Sequence, residues 1–93
     1  MTARERFEAF HSLNPGVYVE LQALARQVQA RGYVKFGIRP LWERLRWENM
    51  MVTDPNSAYK LNDHYKEFYS RMLMREAEFT GLFTTRRSRA DEA

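Results

Sequence analysis

The sequence predicts a mainly α protein: a compact four-helix single domain over residues 1–85, with at most a small β-hairpin or short sheet, and a disordered tail over 86–93. Three observations carry that reading. Apolar residues recur at helical spacing in long runs around 15–31, 38–51 and 62–78. The runs are separated by turn chemistry at Asn14-Pro15, at Gly32 and at Asp54-Pro55-Asn56-Ser57. A chain of 93 residues, 44% hydrophobic and 14% aromatic, has enough apolar area for one core but not for two.

Taken in order, residues 3–12 hold Phe7 and Phe10 three apart among Arg4, Glu5, Arg6 and Glu8, which predicts a short helix with one apolar edge. Asn14 then suits a helix cap, and Pro15 suits a first helical position, where its missing N–H is not needed. From there Val17, Leu21, Leu24, Ala25 and Val28 keep to one helical face, and Gly32 supplies a left-handed stop, so a helix is expected from about 15 to 31. The segment YVKFG alternates and reads as a short strand or an extended connector. A third helix opens between Ile38 and Pro40 and runs to about Met51.

After the turn at 54–57, YKLN alternates again, and Asn62 or Asp63 caps a last long helix. In it Tyr65, Phe68, Tyr69, Met72, Leu73 and Glu76 share one face, while Lys66, Glu67, Ser70, Arg71 and Arg75 are expected to point away. EFTGLFTTRR reads either as a helix end or as a β-segment around Gly81. The expected core is Phe7, Phe10, Leu21, Leu24, Val28, Phe36, Ile38, Leu41, Trp42, Leu45, Tyr65, Phe68, Tyr69, Met72 and Leu73.

The run LWERLRWENMM raises a separate question. At 100° per residue Ile38, Leu41, Trp42, Leu45, Asn49 and Val52 fall in one sector, and Trp47 lies almost opposite, flanked by Met50 and Met51. Three arrangements satisfy this pattern. The helix packs on both sides; or it breaks near Arg46 so that Trp47 turns back to the core; or Trp47, Met50 and Met51 form an exposed patch for another protein or a second copy.

Composition narrows the functional classes. The chain has no cysteine, so disulfides, thiolate metal sites and a cysteine nucleophile are excluded, and the expected compartment is cytoplasmic. No stretch approaches the roughly 20 apolar residues of a membrane span. The two histidines, His11 and His64, lack a second ligand at metal-binding spacing, and Asp63-His64 reads as a cap beside an exposed ring. Neither Ser12 beside His11 nor Ser70 after His64 has the base and orienting group of an activated nucleophile. Glu76 and Glu78 face different ways on a helix, and no glycine-rich phosphate loop is present. The sequence therefore points away from an enzyme, with no cofactor, metal or small-molecule substrate expected.

Two binding classes remain. The net charge is +3, falling to +2 without the tail, and the cations are twelve arginines and three lysines, a mild basic bias. The order of elements matches a helix-turn-helix or winged-helix domain, in which the last long helix lies in the major groove of double-stranded DNA. On that reading the contacts are Asn62, His64, Lys66, Arg71 and Arg75, with Lys60, Arg86 and Arg87 taking phosphates. The plainer alternative is that Lys66, Arg71 and Arg75 solvate a surface helix and pair with Glu67 and Glu78. The rival class is a protein-interaction module, an inhibitor or a homodimer, using Trp47, Met50 and Met51 with Arg44 beside them.

The runs RFEAFHSLNPGVY, GIRPLWERLRWE and YKLNDHYKEFYSRMLM resemble those of small uncharacterised proteins encoded by bacteriophages and prophages, over roughly residues 6–85. That resemblance brings no functional residues with it. It implies a phage or bacterial cytoplasm and a role as a regulator, an inhibitor of a host protein or a DNA-handling factor.

Overall fold

The computed structural model describes residues 1–52 and 63–83. The fold is mainly α: α1 (Ala3–Leu13), α2 (Pro15–Ala30), α3 (Ile38–Val52) and α4 (Lys66–Met74), with 3-10 turns at Asp63–Tyr65 and Ala77–Phe79. Lys60, Asn62, Arg86 and Arg87, the 54–57 turn and the tail lie outside the described residues.

Each helix boundary has a local cause. Thr2 and Glu5 form a capping box: the Thr2 hydroxyl accepts from the Glu5 N–H at 3.1 Å, and the Glu5 carboxylate accepts from the Thr2 N–H at 3.0 Å. Asn14 is the first cap residue of α2, as expected, but its side chain makes no cap bond there. Its amide instead donates to the Phe10 carbonyl at 3.0 Å, closing the end of α1. At the far end of α2 the Gly32 N–H donates to Gln29 O at 2.9 Å and the Tyr33 N–H to Val28 O at 3.4 Å. With Gly32 at φ +97°, this is a Schellman stop, and it turns the chain sharply into the connector.

The connector forms no strand; the chain bends at Val34 and Lys35. Among the described residues the only sheet-like pairing is a parallel bridge between Phe36 and Phe83, where the Phe36 N–H donates to Leu82 O at 2.7 Å. Gly81, at φ +78°, makes the turn that brings Leu82 and Phe83 back to it.

The last helix differs from its predicted course. It is a nine-residue α-helix that stops at Met74, and Glu76 is extended at ψ 136°, so the expected helical run to 78 is broken. Ser70, expected to face solvent, is fully buried. The burial of Ser70 follows from packing: α4 lies against both α3 and the returning C-terminal segment, so its flank is covered as well as its apolar face.

The core gathers Phe7, Val17, Leu21, Leu24, Ala25, Ile38, Leu41, Trp42, Leu45, Phe68, Tyr69 and Leu73. Phe79, Leu82 and Phe83 complete it from the C-terminal segment. Phe10, Val28, Phe36, Tyr65 and Met72, expected inside, are half-buried against it. Aromatic rings tie the helices together. Phe7 stacks on Phe68 and meets Tyr69 edge-on, both at 4.8 Å, while Trp42 lies 5.8 Å from Tyr69.

Candidate functional site

The residues with chemical potential fall in four places. The first is the outer face of α3. Trp47 is 61% exposed and Met50 and Met51 are each 60% exposed, so of the three arrangements open to the sequence the exposed patch is the one adopted. Helical geometry explains the contrast with Trp42: five residues rotate the side chain by about 140° from the core sector. Arg44, on the same side, is tied to Glu48 at 2.8 Å one turn further on. Arg46 pairs with both Glu43, at 3.4 Å, and Asp63, which fixes the start of the last helical segment beside α3.

The second is α4, expected to present an arginine-bearing face. Arg71 is only 15% exposed in its side chain and pairs with Glu67 at 3.4 Å. Lys66 is half-buried, and its ammonium reaches back to the Asp63 carbonyl at 3.4 Å. His64 and Arg75 are exposed, at opposite ends of the segment. The expected pairing of Glu78 with this helix does not occur; Glu78 binds Arg26 of α2 at 2.7 Å. The described polar residues are thus spread along α4 and partly consumed by packing.

The third is a polar knot where α2 meets the end of α4. The Tyr18 hydroxyl donates to Glu76 Oε2, Gln22 Nε2 donates to the same oxygen at 2.8 Å, and the Tyr18 hydroxyl also lies 3.3 Å from the Met72 carbonyl. The Tyr18 bond first, then that of Gln22, holds the Glu76 carboxyl below its ordinary value. Burial first, then the bond to Glu76, pushes the Tyr18 phenol above its ordinary value. Next to this knot His11 sits among Phe7, Tyr18 and Tyr69, with its Nδ1 3.4 Å from the Tyr69 hydroxyl. It is a packed aromatic-cluster histidine, which nothing in its local sequence distinguishes from an exposed one.

The knot has a measurable consequence. Because the folded carboxyl binds its proton less tightly than the unfolded one, its stabilisation is present above the ordinary carboxylate pKa. It is lost as pH falls through the depressed folded value. Thermal melts at about pH 6 and about pH 3 are expected to show a larger drop in Tm for the native chain than for Glu76→Gln, which cannot titrate. Equal drops would reject the assignment.

The fourth is an open groove of about 610 Å³ between the α1–α2 corner and the end of α3. Val17 and Leu45 form its buried base, Leu13 and Val52 are exposed beside it, and the carboxylates Glu20 and Glu48 line it. It lies on the side of α3 away from Trp47.

Among the described residues no group of three His, Asp or Glu is placed to hold a metal ion, and no helix is long and apolar enough to cross a membrane. Comparison with protein families, with curated proteins and with solved structures finds no match.

Proposed function

We propose that this chain is a non-enzymatic protein-docking module that offers α3 as a ligand helix to an apolar groove on a partner protein. The observation that carries the reading is the triplet Trp47, Met50 and Met51, at i, i+3 and i+4, more than half exposed on the outer side of α3. That spacing is the anchor pattern of an amphipathic helix laid into a groove. A tryptophan supplies a large desolvated anchor, and methionines adapt their shape to the surface that receives them. A partner of this kind fits the phage-type inhibitor role implied by the sequence resemblance. The rival reading, α4 as a DNA recognition helix, has less support, because Arg71 and Lys66 are drawn into intramolecular contacts rather than aligned on one free face.

The test is a photo-crosslinking amino acid at Met50, with a control at exposed Glu8, in the cells that encode the protein. A discrete adduct at position 50 alone, lost in Trp47→Ala with a melting curve essentially unchanged, is expected. Loss of an exposed side chain should shift stability by no more than about 0.5 kcal/mol. Equal adducts at the two positions, or a strongly lowered melt for Trp47→Ala, would sink the proposal. An adduct of twice the chain mass would replace the foreign partner by a second copy.

A further inference from the structure

We infer that the α2–α3 connector and the first turn of α3 form a binding site for single-stranded nucleic acid. The site lies at the end of α3 opposite the docking triplet and stands independently of that reading. From Leu21 to Trp42 the chain has no aspartate or glutamate, although twelve acids are distributed over the rest of its 93 residues. The same stretch holds Arg26, Arg31, Lys35 and Arg39. Arg26 is engaged by Glu78, which also packs on this end of α2 by accepting from Gln29 Nε2 at 2.5 Å. Arg31, Lys35 and Arg39 are exposed, and none of them pairs with a described carboxylate. Three cations within nine residues of chain that neutralise no described carboxylate make a local excess of positive charge on a protein of otherwise nearly balanced charge.

The backbone beneath them is fixed from both sides. The Schellman stop at Gly32 holds the entry, and the Phe36–Phe83 bridge holds the exit. Between these points Tyr33 meets Phe36 in a T-shaped contact, ring centres 5.3 Å apart, and remains 55% exposed. An aromatic ring braced by a neighbour yet more than half exposed, among cations in the sequence, is the composition that stacks a base while phosphates are neutralised alongside. Arginine adds bidentate phosphate contacts that lysine cannot make. An anionic membrane is the less fitting occupant, because insertion needs a broader apolar surface than Val34 and half of one tyrosine.

The experiment is fluorescence anisotropy of the full chain with a labelled oligothymidylate, from about 50 to about 200 mM salt. Three phosphate contacts predict a log–log slope of about −2, a loss of about fifteen-fold in affinity over that range. Replacing Arg31, Lys35 and Arg39 together by Gln is expected to remove most of that slope while leaving the circular-dichroism melt in place. The tail is identical in both chains, so a triple variant that binds like the native protein overturns the site. Native chain is expected to prefer the oligonucleotide over inorganic polyphosphate of equal charge by about tenfold, the scale of one stacked base. Tyr33→Leu should abolish that preference. Absence of binding at the lower salt, equal affinity for polyphosphate, or binding to phosphatidylserine vesicles without binding to the oligonucleotide would each overturn the inference.

Discussion

Trp42→Ala is expected to lower the unfolding free energy by about 3–5 kcal/mol, the range for deleting a large buried aromatic side chain. Small domains are stable by only about 5–15 kcal/mol in total, so this one change should leave a large unfolded fraction under mild urea. The ring is fully buried, 5.8 Å from Tyr69, in the layer that joins α3 to α4. Its indole nitrogen, however, has no hydrogen-bond acceptor among the described residues. A buried donor without a partner costs about 1–3 kcal/mol, and Trp42→Phe removes that donor while keeping most of the ring area. The phenylalanine variant is therefore expected to be distinctly more stable than the alanine variant and close to the native chain. Urea unfolding followed by circular dichroism measures both, and Trp47 remains as the fluorescent reporter. Similar losses for the two variants would show that the indole N–H is satisfied after all and that its bond, not the ring's volume, dominates.

Trp42 and Trp47 also show where sequence pattern stops being informative. Periodicity assigns each a direction on α3, because direction depends only on the local backbone. It does not say whether anything lies in that direction, which is why periodicity alone does not separate the exposed patch, the two-sided helix and the broken helix. α2 was legible almost to the residue, since Pro15, the apolar repeat and Gly32 all act locally. The end of α4 was not. Glu76 continues the helical face numerically, but Tyr18 and Gln22, more than fifty positions away in sequence, capture its carboxylate outside the helix. Ser70 is small and polar and reads as a surface residue; only the packing of α4 against α3 and the C-terminal segment buries it. Two further features are legible in the sequence itself. Thr2 and Glu5 stand at capping-box spacing, and the acid-free stretch from 21 to 42 marks the basic connector without any structure.

A chain ending at Arg75 is expected to lose cooperative folding altogether, although it retains all four α-helices. The described part of the segment beyond it, residues 76–83, contributes a 3-10 turn and one bridge, and its FTGLF composition offers no helical period by which to weigh it. Its weight lies in burial. Phe79 is fully buried, Leu82 and Phe83 nearly so, and all three belong to the same cluster as Trp42 and Leu73. Deleting each such side chain typically costs about 2–5 kcal/mol, and removing the three together exceeds the usual net stability of a domain of this size. The polar losses act in the same direction: Glu76 leaves Tyr18 and Gln22 without their shared acceptor, and Glu78 leaves Arg26 without its partner. Local helix propensity does not compensate, because helices of nine to sixteen residues are marginal in water without a face to pack against. The far-ultraviolet spectrum of the truncated chain should show residual helix that melts gradually, with near-ultraviolet aromatic signal and a sharp transition both missing. A truncated protein that still melted in one sharp step would mean that α1 to α4 close a core by themselves. In that case Phe79, Leu82 and Phe83 would cover the core rather than complete it.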